Sequence, residues 1–272
     1  MVQKAELSVP DYVGMVAAGL AGEQSVASLT VLLDNCAGVL HQLADPAWAA
    51  TGTGLLADQA VALLRSAAPG SDHQLAWAQL LAWSATTSEQ LSLLAGLLTG
   101  TVEIDGLQAG VPLRWAMLGR LAAAGRADDG QVMAELARDG SDSGQREAAA
   151  CRAAMPDPAH KAAAWALLTN TTELNADLLR SVARAFWQPD QAALLEPYTA
   201  RYFEDLPQIW AAAGGHLKFA LALLLFPQTA ASPALLTAID EFLAAAPRDP
   251  GLVRVLTECR DQTVRALASR AL

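Results

Sequence analysis

The chain is poor in the residues that perform chemistry. It has four histidines, His41, His73, His160 and His216, in 272 residues. None opens a His-Glu-x-x-His pattern, and no two stand four residues apart. A zinc site on a helix needs two imidazoles on one face and a third ligand, and this pattern is absent. The histidines are expected at exposed helix ends. No Gly-x-Ser-x-Gly elbow, Walker A loop or Gly-x-Gly-x-x-Gly run occurs. The glycine groups, Gly52 with Gly54 and Gly214 with Gly215, lack the flanking strand such motifs need and are expected to be turns. With no nucleophile and base in sight, an independent hydrolase is not expected.

Other shortages bound the fold and the setting. Aromatic residues make up 6% of the chain. Runs of β-branched residues are nearly absent, which argues against a sheet protein. Three cysteines, Cys36, Cys151 and Cys259, lie far apart without metal spacing. They are expected as buried thiols in a reducing compartment. Basic residues number 18 against 28 acidic ones, a net charge of −10. A dispersed acidic surface repels phosphate and argues against nucleic acid or anionic membrane as partners. The longest strongly apolar run, Phe219 to Phe226, is too short to span a bilayer and is expected to be a fully buried helix. The opening residues, MVQKAELSVPDYVG, hold no apolar signal core, so a cytoplasmic protein is expected.

What is abundant is alanine and leucine, the strongest helix formers, within a 53% hydrophobic composition. An all-α protein is expected. Asp11, after Pro10, is expected to cap a first short helix. A second starts near Glu23, with Val26, Leu29, Leu33, Cys36, Leu40 and Leu43 forming one apolar stripe. Asp45-Pro46 ends it, and Thr51 to Gly54 reads as a loop. Pro69-Gly70 stops the next helix. Asp72 and Ser88 cap two more. Gly100 to Gly110 is the longest non-helical stretch, and its Thr-Val-Glu-Ile can form a brief extended piece. Further helix starts fall near Val111, Asp128, Ser143, Pro158, Asn175 and Asp190. Helix pairs thus recur at roughly 30 to 34 residues, a helical-repeat interval. The tail continues with helices over Tyr198 to Ala213, Leu217 to Phe226, Pro233 to Ala246 and Pro250 to Leu272. Pro227, Pro247 and Pro250 mark turns. The reading is a single domain, 1–272, an α-solenoid of HEAT/armadillo-like pairs with about 14 helices.

Arginines cluster in the rhythmic centre: Arg114, Arg120, Arg126, Arg138, Arg146, Arg152, Arg180, Arg184 and Arg201. On a concave face, guanidinium groups can bind a peptide carboxylate. The alternative is that they balance nearby acids. Trp115, Trp165, Phe186, Trp187, Tyr198, Tyr202, Phe203 and Trp210 read as packing residues between helix layers. Trp187 and Gln188 fall at a turn where they can face outward.

Several ordered segments resemble a known family. They are PGSDHQLAWAQ at 69–79, LRWAMLGRLAAAGRA at 113–127, AELARDGSDSGQREAAACRAAMP at 134–156, KAAAWALL at 161–168 and FWQPDQAALLEPYTARYF at 186–203. They are similar to the C-terminal, endoplasmic-reticulum aminopeptidase-like helical domain of bacterial aminopeptidase N zinc metallopeptidases. The Ala213 to Gly215 stretch departs from that pattern, and Gly214 and Gly215 are expected to loosen a helix. The resemblance implies an α-solenoid bowl set against an upstream catalytic domain of the same polypeptide. That domain holds the zinc, which polarises the peptide carbonyl and activates water; no cofactor is expected in this chain. The bowl encloses the substrate chamber and gates peptide access. Arg114, Arg146, Arg184, Gln188 and Tyr202 are the peptide-facing candidates. The alternative is a free-standing helical-repeat adaptor that binds protein on its concave face. The apolar first helix, with Val13, Val16 and Leu20, is expected to mark a face cut from a partner. Elemental analysis of the purified chain should find no stoichiometric zinc; a tight one-to-one complex would contradict this reading.

Overall fold

The computed structural model describes residues 2–4, 6–169, 176–245 and 249–272. The helix start expected near Asn175 and the turn at Pro247 lie outside the described residues. Among the described residues there are fourteen α-helices and no strand. They are α1 (Val9–Gly19), α2 (Val26–Gln42), α3 (Pro46–Ser66), α4 (Asp72–Ser84), α5 (Ser88–Thr99), α6 (Val111–Ala123) and α7 (Asp129–Arg138). Then follow α8 (Asp142–Ala154), α9 (Pro158–Thr169), α10 (Ala176–Phe186), α11 (Ala192–Ala212), α12 (Gly215–Leu224), α13 (Pro233–Ala244) and α14 (Pro250–Arg270). None is long and apolar enough to cross a membrane.

Short polar side chains start these helices by accepting from orphan backbone N–H groups. Ser8, Ser25, Asp45, Ser71, Thr87, Asp128, Ser141, Ser232 and Asp249 all do so. Three caps sit earlier than the sequence suggested. Ser8, not Asp11, caps α1; Ser71, not Asp72, caps α4; and Thr87, not Ser88, caps α5. In each case an earlier residue takes the extended backbone a cap requires, and the expected residue falls inside the first turn. Helix α2 likewise starts three residues later than expected.

Two glycine-based readings resolve differently. Thr51 to Gly54 is not a loop but the middle of α3. Gly52 is there for packing: a Cβ would overlap the Trp48 ring and stand 2.8 Å from Leu40 Cδ2. Gly214 and Gly215 do interrupt the helices, with Gly215 at φ +54. Residues 100–110 are non-helical as expected, without any extended pairing. Gly106, at φ +77, brings this loop onto the backbone of Pro69 and Gly70. Buried Gln74 fixes the contact, accepting from Gly70 N at 2.9 Å and donating to Asp105 O at 2.8 Å.

The even-numbered helices stack in succession: α4 on α6, α6 on α8, α8 on α10, α10 on α12 and α12 on α14. The odd-numbered helices α5, α7, α9, α11 and α13 each pack beside their even neighbours. Apolar burial between these layers is the main stabilising term. Val13, Val16 and Leu20 are almost wholly buried within this chain, so they form no cut face. The stretch 219–226 is only partly buried, since Leu223 and Leu224 stay half-exposed.

The last carbonyls of the even helices need donors, and side chains supply them. Arg120 Nε donates to Ala85 O after α4 at 2.6 Å. Gln191 Nε2 donates to Ala123 O of α6 at 2.9 Å and to Ala154 O of α8 at 2.8 Å. Lys161 Nζ donates to Ala153 O of α8 at 2.6 Å and to Phe186 O of α10 at 2.8 Å. Tyr202 Oη donates to Ala222 O of α12 at 2.7 Å. Because Gln191 and Lys161 each reach two helix ends, the ends of α6, α8 and α10 lie side by side. Substituting Gly106→Ala should lower stability by about 1–3 kcal/mol, since the Cβ meets backbone at a positive φ. A thermal melt checks this; an unchanged midpoint would mean the loop is not pinned at Gly106.

Candidate functional site

The stacked helices surround a cavity of about 1040 Å³. Its wall is made of the inward faces of α2, α3, α4, α6, α8 and α10, closed by the α10–α11 turn and by Phe226 and Gln228 beyond α12. The reason for the space is legible residue by residue. Where a bundle core would place leucine, these faces place small residues: Ala37 and Gly38, Ala49 and Ala50, Ala82, Ala116 and Gly119, Ala150 and Ala154, Ala183. Larger side chains point the other way, into the layer behind. Leu118 and Leu121 of α6, for example, are 1% exposed in the core. The cavity is thus built by side-chain size.

Polar side chains are interspersed among the small ones on this wall, and only some are engaged. Arg120 is held by Ala85 O and by Asp190 at 3.3 Å. His41 is half-buried, and burial lowers its pKa below the ordinary imidazole value. Gln188 Nε2 donates to Ala185 O at 2.9 Å. Two charges are left over. Arg184 on α10 is exposed and makes no hydrogen bond or ion pair among the described residues, and Asp34 on α2 is also exposed and unpaired. Trp83, 40% exposed, presents its ring to the cavity. Trp187 lines it too but is 5% exposed, so the expectation that it faces outward fails; its Nε1–H is buried without a partner.

Of the five peptide-facing candidates, the structure brings two to the cavity, Arg184 and Gln188. Arg114 is committed elsewhere. Its fork grips Glu135 with Nε at 2.7 Å and Nη2 at 2.6 Å, while Nη1 donates to Leu98 O at 2.8 Å. These hydrogen bonds raise its pKa further. Arg146 stands outside the cavity wall on α8, where its charge acts on Glu147. Tyr202 is fully buried, with its hydroxyl spent on Ala222 O, and cannot meet a peptide here. Direction is not legible for these three, because helical phase alone does not say which of two apolar faces looks inward. Trp83 and Ala150 were missed for the same reason; the signal available was the recurrence of alanine and glycine on every second helix.

Charge balancing explains much of the arginine cluster. Arg152 pairs with Asp129 at 2.7 Å, and Arg180 with Asp177 at 3.2 Å. The histidines differ from expectation, since only His216 is exposed. His73 bonds Glu23 O at 3.1 Å, and His160 sits between Asp129 and Asp157, each at 3.0 Å. Asp205 accepts from Trp165 Nε1 at 2.8 Å. Among the described residues, no group of three histidine, cysteine or acidic side chains stands close enough to hold a metal ion.

Residues 1–265 match the ERAP1-like C-terminal domain family. The chain belongs to this family. Aminopeptidase N of Streptomyces lividans is 38% identical over 271 residues, which cover 100% of this chain and 32% of that protein. The chain therefore spans about a third of the relative's length. What this ERAP1-like domain presents is an alanine-walled cavity with an unpaired guanidinium among the described residues.

The three thiols are buried, and burial pushes Cys36 up to about 11 and Cys151 and Cys259 up to about 12. Since the thiolate is the reactive form, none should react with a disulfide reagent at pH 8 in the folded chain. All three should react once guanidinium unfolds it. Fast native reaction of Cys151 would show that the cavity wall opens there.

Proposed function

We propose that this chain is the non-catalytic C-terminal domain of a zinc aminopeptidase that removes N-terminal residues from peptides. In this reading it is an α-solenoid of HEAT-like pairs, and its cavity forms part of the chamber wall that limits access to short peptides. The zinc, the general base and the attacking water belong to a catalytic domain of the same polypeptide. Closure of the chamber over that domain excludes bulk water and folded proteins. A cytoplasmic setting fits the free, buried thiols.

The observation that carries the proposal is the unpaired Arg184 on an alanine-walled cavity in a chain that matches the family nearly end to end. A guanidinium without an internal partner is ready to bind a carboxylate, and small neighbours leave room for the peptide behind it. Trp83 supplies apolar surface for side chains along the way. Gln188, just past the end of α10, lines the same cavity.

The test uses the longer aminopeptidase that carries this domain. Arg184→Ala should raise KM for peptides with a free C-terminal carboxylate by roughly tenfold, the loss of one charge-assisted contact. It should leave kcat unchanged, and leave both constants unchanged for C-terminally amidated peptides. An equal effect on free and amidated peptides would contradict the proposed contact.

A further inference from the structure

The buried apolar residues fall into two cores. One is built from α1 to α8 and the other chiefly from α9 to α14. Helix α8 is shared, because Cys151 belongs to the first core and Ala153 to the second. The cores meet again near the chain's end, where Ala231 and Ala266 join the first. The two cores therefore have two junctions.

At each junction one basic side chain donates to two main-chain carbonyls. Near the chain's end, Arg270 donates to Ala44 O at 3.0 Å and to Ala231 O at 2.6 Å. At the middle, Lys161 of α9 ties the end of α8 to the end of α10. The two clasps differ in chemistry. Arg270 is half-exposed, and a guanidinium keeps its charge at any ordinary pH. Lys161 is 0% exposed, so water can reach its ammonium only if α9 separates from the two helix ends.

Helix α9 packs on α8, α10 and α11. The ionisable groups those helices carry are Asp142, Arg146, Glu147, Cys151 and Arg152 on α8, Asp177, Arg180 and Arg184 on α10, and Glu196, Tyr198, Arg201, Tyr202, Glu204 and Asp205 on α11. Asp157 stands just before α9, and His160 lies on it. Arg152 and His160 are engaged by Asp129, and Asp205 by Trp165. The charge that acts on Lys161 is that of Asp190 in the α10–α11 turn, which Arg120 shares. Burial outweighs it and pushes Lys161 down from 10.5 to about 7.

We propose that the α8–α10 junction is a proton-controlled joint, in which protonation of Lys161 favours a form with α9 lifted off the two helix ends and the ammonium hydrated. The sign follows from linkage. The open form binds the proton as an ordinary lysine does and the closed form binds it weakly, so acid favours the open form. The closed form gains stability as pH rises from about 7 towards 10.5 and loses it again as pH falls to about 7. Arg270 does not titrate, so the other junction holds. Both α8 and α10 line the cavity, so opening the joint changes the cavity wall. The joint does not depend on what the cavity binds.

Amide hydrogen exchange, corrected for intrinsic rates, tests this on the 272-residue chain from pH 6 to 9. In the wild type, the opening of α8 to α10 should fall with rising pH above about 7, by up to roughly tenfold per pH unit. In Lys161→Met, whose side chain carries no charge to hydrate, that opening should be independent of pH. The α3–α4 region should be independent of pH in both. The chain has three lysines, Lys4, Lys161 and Lys218, so a carbon-13 titration of lysine Cε keeps the test decisive even if Lys161→Met does not fold. One resonance should titrate near 7 and vanish in Lys161→Arg. A wild-type opening that ignores pH, a Lys161→Met chain with the wild-type profile, or a Lys161 midpoint above 10 would each overturn the proposal.

Discussion

The structure depends on how the ends of the inner helices are satisfied. An α-helix leaves its last carbonyls without partners, and here the ends of α6, α8 and α10 lie side by side. Water cannot serve most of them, because the sites are buried. Side chains from elsewhere in the chain do so: Arg120, Gln191, Lys161 and Tyr202 each reach a carbonyl at 2.6 to 2.9 Å. Each such bond carries only a modest net energy, but losing it strands a buried acceptor. These long-range ties fix the spacing of the inner helices, and that spacing fixes the cavity.

The cavity then follows from composition. Alanine and glycine on the inner faces keep the helices apart from the centre without filling it, while leucine and the aromatic residues fill the layers behind. Trp165, Phe186 and Tyr198 form one such aromatic cluster, with centroids 5.0 to 5.4 Å apart. An alanine-rich sequence therefore serves two purposes here, helix formation and an open interior.

Much of the fold was legible because helix punctuation is local. Asp45-Pro46, Asp157-Pro158 and Ser232-Pro233 mark true starts, and Val111 and Pro250 open helices at the expected residues. The local rules failed where tertiary packing took over. Gly52 looked like a turn and proved to be a notch for Trp48 and Leu40. The apolar first helix looked like a severed face and proved to be covered within the chain. The site was less legible. Arg184 and Gln188 reach the cavity, but Arg114 and Tyr202 are spent on internal partners that lie 21 and 20 residues away in sequence. No periodicity reveals such partners.

Under the proposed function, peptides bound to a longer aminopeptidase that carries this domain reach this cavity. The direct measurement is photo-cross-linking of a peptide carrying a benzophenone at its C-terminal residue, bound to that enzyme and mapped by mass spectrometry. The account predicts adducts on the cavity wall, at Trp83, Ala150 and the Arg184 to Gln188 rim. Adducts confined to residues outside these 272 would contradict it.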